Sequence, residues 1–406
     1  MKDKEKQVVY GMVTVVSIMA FLGLLALFTG KGLLSKNAYN AYALQADSWR
    51  QGRLDLGQDY PWMELAIYNG KYYCSFPPFP SYVLFPLTFI WGSNTYDYVI
   101  LWACNIIAVI FLYKIALELK NSPESAMIQV FFVTIASNMV FIMIDASIWF
   151  LAQTMCFTLS TVSIYFALKG KGAVALFCWA ASVGCRPMQF LYFPIVLILL
   201  YRHVRREKPY GTWYQMMYKN WYWSVPSGFL AVSYMALNYF RFNNILEFGH
   251  NYLPEFVRAE YGQFNICYIK ENLKTLFRLP EFAEDGKMKI NNMGNLNLFI
   301  VSPIIMFAVL LLAYIIWKRV YNLMGIYILN LLLSVAYLFI VVMHKSMGAW
   351  HFGNRYANDI LPWIFLGVCM VMPRFRNLIK YEIPLCVAGA CLNAVGTVVV
   401  YNGLGT

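Results

Sequence analysis

Long apolar runs, broken by short polar or basic intervals, recur from Val8 to the carboxyl end of the chain. A helix of about 20 mostly apolar residues crosses about 30 Å of hydrocarbon. By that measure the pattern predicts spans at Val8–Thr29, Asp97–Leu119, Ser125–Met143, Ser147–Leu168, Gly172–Val183, Met188–Tyr201, Trp221–Phe240, Leu296–Trp317, Tyr321–Met343, Tyr356–Met372 and Ile383–Tyr401. The run Ser81–Trp91 is too short to be counted with them. Gly172–Val183 and Met188–Tyr201 are themselves short, and the turn between them holds Cys185, Arg186 and Pro187. Short, broken spans mark intramembrane cavities.

The basic residues orient these spans. With the amino terminus on the cytoplasmic side, the short inner loops hold Lys120, then Lys169 and Lys171, then Arg202, Arg205, Arg206, Lys208 and Lys219, then Lys318 and Arg319, then Arg374, Arg376 and Lys380. Every basic short loop thus falls on one side, as the positive-inside rule requires. The agreement holds only if Ser81–Trp91 does not cross, so residues 37–91 form one outer loop carrying interfacial helices. About eleven spans result, with the carboxyl terminus outside. Residues 241–295 form a second, long outer loop, and His344–Pro362 a third polar outer region. Three polar regions far apart in sequence share one face.

Composition sharpens the class. The 406 residues are 60% hydrophobic and 13% charged, with a mean hydropathy of +0.54, against about 25% charged in soluble domains. The expectation is an all-α polytopic membrane protein with one continuous domain over residues 1–406. The net charge of +12 lies largely in short loops, which argues for a bilayer and against nucleic acid. Nine cysteines are scattered without a CxxC pair, so they read as small buried hydrophobes; Cys74 and Cys267, both in outer loops, could pair. Lys2, Lys4 and Lys6 precede an apolar run longer than a signal-peptide core and lacking a small-residue cleavage site, which reads as an uncleaved anchor. No P-loop, GxGxxG, HExxH, GxSxG or metal-spaced Cys/His cluster appears. Nucleotide chemistry therefore has no support, and no cofactor is implied, a divalent cation remaining open.

The candidate chemistry gathers in the first outer loop. Asp47 lies in an amphipathic run, YNAYALQADSWRQG, from which it projects toward the bilayer surface. Glu64 sits among Trp62, Met63 and Leu65, where desolvation suits a carboxylate to proton abstraction near neutral pH. Asp55 and Asp59 read as turn or cap residues. In the middle of the chain, Arg186 has apolar sequence on both sides, where an unpaired charge costs roughly 2.5–3.5 kcal/mol. It either binds an anion, most simply a lipid phosphate, or pairs with Asp145 or Asp359. Arg241 follows a span, with Glu247 and His250 beyond it; Lys345, His351, Arg355 and Asp359 lie in the third outer region. Singly these are interfacial anchors. Together they set several cations beside a few carboxylates, a pattern that suits a phosphate-linked, otherwise neutral substrate.

Four stretches in this order resemble the GT-C superfamily of integral membrane glycosyltransferases, which use polyprenyl-phosphate sugars. They are ELAIYNGKYYCSFPPFPSYVLFP (Glu64–Pro86), GCRPMQFLYFP (Gly184–Pro194), NYFRFNNILEFGHNY (Asn238–Tyr252) and WHFGNRYANDILP (Trp350–Pro362). The resemblance implies a polyprenyl-phosphate sugar donor, an acceptor that is a lipid-linked glycan, cell-wall polymer or protein, and inverting transfer at the outer face of the cell membrane. It further implies a carboxylate base, carried to Glu64 with Asp47 and Asp59 as substitutes, and phosphate binding by Arg186, Arg241 and Arg355, with Lys345, His351 and His250 as further donor-binding residues. A flippase of lipid-linked saccharide, or a GT-C-shaped protein that binds without turnover, are the rival readings. A transporter of that kind often carries an internal repeat, and none is found.

Overall fold

The computed structural model describes residues 3–404 apart from 33–34, 208–210, 285, 287, 291–293, 295, 321–323 and 349. Lys208 and the first residues of the expected span Tyr321–Met343 lie outside the described residues. The chain is a mostly helical membrane protein. Among the described residues seven helices are long and apolar enough to cross a bilayer: Asp3–Phe28, Asp97–Glu118, Ile148–Leu168, Pro187–Arg206, Met324–Val342, Arg355–Arg374 and Arg376–Tyr401.

The other expected spans fall short as continuous helices, each for a local reason. Gly172–Val183 and Pro303–Trp317 are apolar but shorter. Ser125–Met143 divides into Pro123–Val133 and Met139–Ile142. Thr134 Oγ1 bonds back to Val130 O at 2.6 Å and Ser137 Oγ to Val133 O at 2.7 Å, and hydroxyls used this way compete with the helix ladder. Leu296–Trp317 breaks at Ser302, which takes φ −134° and ψ 72° ahead of Pro303, since a residue before proline is pushed out of the helical region. Trp221–Phe240 opens as a 3-10 turn over Trp221–Ser224. The helix after it, Val225–Phe242, is long enough at 18 residues but, carrying Ser227, Ser233, Asn238 and Arg241, is less apolar than the seven.

An all-α chain requires one correction. Immediately after Glu64, strands Leu65–Tyr68 and Lys71–Cys74 pair antiparallel, with Leu65 opposite Cys74 and Tyr68 opposite Lys71. Asn69 and Gly70, both at positive φ (49° and 72°), make the turn. That conformation matches the twist of the flanking strands, and Asn-Gly adopts it most readily. The start of the first strand is buried on both faces, Leu65 at 4% and Ala66 at 0% exposure.

The chain divides into two compact units. One comprises Gly32–Cys104 and Asp145–Cys267. In it the helix Ala41–Arg50 lies against the helix Phe79–Trp91: Ser81 Oγ is 3.0 Å from Tyr42 O and 2.9 Å from Gln45 Oε1, and the Trp49 and Tyr82 rings are 5.4 Å apart. Their shared core includes Tyr42, Cys74, Phe76, Phe79 and Leu151. The other unit comprises Met1–Lys31, Asn105–Ile144 and Tyr268–Thr406. Its helix Leu361–Val371 is buried at nearly every position, and side-chain amides tie backbones together around it. Asn121 Nδ2 donates to Cys369 O at 2.9 Å and Asn330 Nδ2 to Trp363 O at 2.5 Å. Such bonds average about 0.6 kcal/mol between membrane helices.

The positive φ at Gly70 generates a prediction. Gly70→Ala should destabilise by about 1–2 kcal/mol, the penalty for a Cβ in the left-handed region. Thermal unfolding in detergent should show the loss, whereas an unchanged midpoint would mean that the turn adopts another geometry.

Candidate functional site

The first loop is a folded piece, and each of its ends is tied down. At its start, Asn37 Nδ2 donates to Asp97 Oδ2 at 3.0 Å and to Ala146 O at 2.7 Å. In its middle, Leu56 N donates to Tyr72 O at 2.8 Å, holding the preceding segment on the hairpin. At the far edge of the hairpin, Arg241 Nη1 donates to Cys74 O at 3.1 Å and Nη2 to Asn238 Oδ1 at 3.0 Å. Arg241 is only 2% exposed. It is therefore a buried clamp on the hairpin and not a snorkelling anchor, and two of its nitrogens are already engaged.

The three candidate carboxylates differ in their settings. Glu64 is exposed, contrary to the desolvated setting expected from its neighbours. It stands just ahead of the strand, whose first two residues, Leu65 and Ala66, are buried. Its position is nonetheless defined, because Trp149 Nε1 donates to Glu64 Oε2 at 2.8 Å and Ser75 Oγ donates to Glu64 O at 3.0 Å. Trp149 in turn packs at a tilt against Tyr39, ring centroids 5.2 Å apart and planes at 45°. Asp47 is buried rather than turned toward a bilayer surface, with Arg50 Nη2 at 2.8 Å from Oδ1 and Gln51 Nε2 donating to Oδ2 at 2.9 Å. Asp59 is exposed, and among the described contacts none positions it. Asp55 behaves as a turn residue, accepting from Gly57 N at 2.9 Å.

Arg186 is half-buried in the turn that separates Gly172–Val183 from the 3-10 turn Pro187–Tyr192. That turn and the first loop meet: Phe79 N donates to Gly184 O at 3.0 Å. Tyr42 is the side chain on which the pieces converge. It is fully buried and its hydroxyl lacks a hydrogen-bond partner. Burial, then the Cys74 and Cys185 thiols, push that hydroxyl up, while the Arg186 cation pulls it down. Arg186, the hairpin edge at Cys74 and the helix bearing Asp47 thus share one neighbourhood. His250 adjoins it, with Nδ1 3.2 Å from Ser75 O and its ring 5.4 Å from Phe76. Glu247 caps its own loop, accepting from Gly249 N at 2.6 Å.

Cys74 and Cys267 do not pair; both are free thiols, the first buried and the second exposed. Burial pushes the Cys74 thiol up to about 11, so it stays protonated and inert near neutral pH. Among the described residues no group of three or more His, Cys, Asp or Glu converges as metal ligands do.

Arg355, Lys345 and His351 belong to the other unit. Arg355 is 5% exposed, with its guanidinium 4.8 Å from the Tyr356 ring. His351 is fully buried, its Nε2–H donating to Gly348 O at 2.9 Å. Burial, followed by the Arg355 cation, pushes its imidazole down to about 3. It is neutral near pH 7 and supplies no positive charge, contrary to its expected place among the cations. Lys345 is half-buried. Trp149 and Tyr42 were not singled out by sequence reasoning. Nothing local marks Trp149, 85 residues from Glu64, whereas Tyr42 stands in the same amphipathic run as Asp47.

No family model and no curated protein sequence matches the chain. Among solved structures, the oligosaccharyltransferase of Archaeoglobus fulgidus in its apo form matches at 11% identity over 95% of this chain and 56% of that one, with a TM-score of 0.44. The oligosaccharyltransferase AglB from the same organism, in complex with an inhibitory peptide and a dolichol-phosphate, matches at 12% identity over 95% of this chain and 55% of that one, with a TM-score of 0.42. The chain thus spans little more than half the length of either. Likeness at that level carries no argument about activity.

Two outcomes follow from the geometry. Arg241→Met leaves Cys74 O and Asn238 Oδ1 without their donor and should cost roughly 2–3 kcal/mol; hydrogen exchange should accelerate in Leu65–Tyr68 and Lys71–Cys74, and unchanged exchange would remove Arg241 as their clamp. For His351, the unfolded chain takes up a proton near pH 6.5 that the fold excludes down to about pH 3. Stability should therefore fall as pH drops through that window. Unfolding midpoints of His351→Gln should fall less steeply than those of the wild type across the same range; equal slopes would contradict a neutral, buried imidazole.

Proposed function

We propose that the chain is a membrane glycosyltransferase of the GT-C type, moving a sugar from a polyprenyl-phosphate-linked donor to an acceptor hydroxyl. The observation that carries this reading is the meeting of a carboxylate-bearing loop with an arginine-bearing turn, through Phe79 N to Gly184 O and around Tyr42. The loop offers the carboxylate and the turn the cation, the two functions that such a transfer needs. A first-loop carboxylate takes the proton of the acceptor hydroxyl. The oxygen attacks C1 of the sugar from the side opposite the phosphate, the C1–O bond to phosphate breaks, and the electron pair leaves with the lipid phosphate. The configuration at C1 is inverted.

Glu64 is the base in this proposal, since Trp149 and Ser75 position it while its side chain stays exposed to an incoming acceptor. Asp47 is the alternative. Asp59, exposed and unpositioned, is the weakest of the three. Arg186 holds the leaving phosphate, whose charge grows as C1–O breaks; a fixed guanidinium then stabilises the transition state more than the ground state. Arg241 acts on the site only by holding the hairpin. The acceptor is a lipid-linked glycan, envelope polymer or protein. The site faces the non-cytoplasmic side, because only that orientation puts every short basic loop inside. No nucleotide has to enter.

Reconstituted vesicles with a polyprenyl-phosphate sugar separate the readings. Glu64→Gln should lower transfer by about 10²–10⁴-fold with donor binding retained, and Arg186→Gln should weaken donor binding itself. Movement of intact lipid-linked sugar across the vesicle without cleavage would replace the enzyme by a flippase, and binding without either would leave a non-catalytic receptor.

A further inference from the structure

Away from the carboxylates, the unit that contains the first loop has an open groove of about 260 Å³ with an apolar wall. The wall is built from Leu176, Trp179, Val183, Phe193 and Ala231, contributed by three neighbouring helices. The hydroxyls that border it are turned back on the protein: Ser224 Oγ donates to Trp221 O at 2.6 Å, and Ser227 Oγ to Ser224 O at 2.9 Å. Nothing on the wall invites a sugar or an ion. Between Ser224 and Tyr234, both in its lining, the groove follows the helix for roughly 15 Å at the helical rise. That is about half of the 30 Å hydrocarbon core, the depth of one leaflet.

Gly228 borders the slot on its exposed side. It lines the groove in a helix interior, where glycine costs about 1 kcal/mol relative to alanine. A Cβ built there meets nothing within 4 Å, so no protein neighbour demands the glycine, and a larger side chain would project into the space.

One end of the slot bears the marks of a membrane interface. Met217, in the lining, belongs to the helix Trp213–Lys219. Its Trp213 and Tyr218 are exposed, as are Trp221 and Tyr222 just beyond, in the manner of an aromatic belt. The cations collect at the same end. Lys219 closes that helix, and Lys171 precedes Gly172, against which the Trp223 ring packs so closely that a Cβ would fall 2.1 Å from it. Arg202, Arg205 and Arg206 are exposed at the end of the helix Phe193–Glu207, which packs beside Trp213–Lys219. Within residues 201–224 the sequence sets a single carboxylate, Glu207, against them.

We propose that this slot is the binding site of an anionic phospholipid. One acyl chain lies between Trp179 and Gly228, and the headgroup phosphate rests at Lys171 and Lys219. The leaflet-deep length fits an acyl chain and not a long polyprenyl chain, and the cationic rim selects the anionic headgroup. The far end of the slot, at Val183 and Tyr234, adjoins Gly184 of the Arg186 turn, while the cationic rim lies at the opposite end; the site does not depend on the proposed transfer chemistry.

The test uses the full-length protein extracted from vesicles of phosphatidylcholine with or without phosphatidylglycerol, with retained lipid counted by native mass spectrometry. The wild type should retain phosphatidylglycerol in preference to phosphatidylcholine. Gly228→Trp should lose that retention by about tenfold or more, since two buried methylenes already account for about that factor, and Gly228→Ala should keep it. Replacing Lys171 and Lys219 together by Gln should abolish the headgroup preference. Should Gly228→Trp fail to fold, the wild type still decides: phosphatidylglycerol with brominated acyl chains should quench a fluorescence component that Trp179→Phe lacks, and brominated phosphatidylcholine should quench it less. Undiminished retention by folded Gly228→Trp, no headgroup preference, no quenching of Trp179, or displacement of the phospholipid by polyprenyl phosphate would each overturn the site.

Discussion

A guanidinium withdrawn from water must find acceptors inside the protein, and at Arg241 it finds the carbonyl of Cys74 and the amide of Asn238. The bond to Cys74 fastens the first loop to the end of the helix Val225–Phe242, and the bond to Asn238, one turn back in the same helix, fixes the direction of the guanidinium. Breaking one leaves a buried charge and a buried carbonyl unmatched, so hairpin and helix end hold one another in place. The strand register that positions Glu64 follows from that clamp, since a slip of one residue would reverse every side chain of the strand.

From that fixed edge the neighbourhood of the carboxylates is built outward. Ser75, next to the clamped Cys74, holds the Glu64 backbone, and Trp149 holds its carboxylate. The segment that continues through Phe76 to Phe79 reaches the Gly184 carbonyl and so brings the Arg186 turn alongside. Tyr42 is buried in one core with Cys74 of the hairpin and Cys185 of that turn. The lipid slot has a different emphasis: an apolar wall with satisfied hydroxyls, and charge confined to its rim.

Much of this was legible in the sequence, and the misses have physical causes. Long apolar runs gave away the uninterrupted helices, because hydrocarbon thickness dictates their length. Breaks at Thr134–Asn138 and before Pro303 were visible as residues but not as outcomes, since hydroxyl back-bonding and proline bend some helices and end others. Asn69-Gly70 is a strong hairpin signal, yet the surrounding aromatics and prolines pointed to interfacial helices. Arg186 was legible because a charge inside an apolar stretch is costly wherever it lies. The burial of Arg241 was not, because it depends on a strand from 167 residues away folding over it. Glu64 misled for a related reason: its apolar neighbours suggested desolvation, but it stands exposed just ahead of the strand, while Leu65 and Ala66 after it are buried.

The most direct measurement is a cryo-electron microscopy structure of the protein with a polyprenyl-phosphate sugar analogue that cannot be cleaved at C1. Phosphate density within hydrogen-bond reach of Arg186, with C1 turned toward Glu64 or Asp47, is the expected result. Phosphate bound elsewhere, with both carboxylates remote from the sugar, would contradict the joining of loop and turn as the origin of the chemistry.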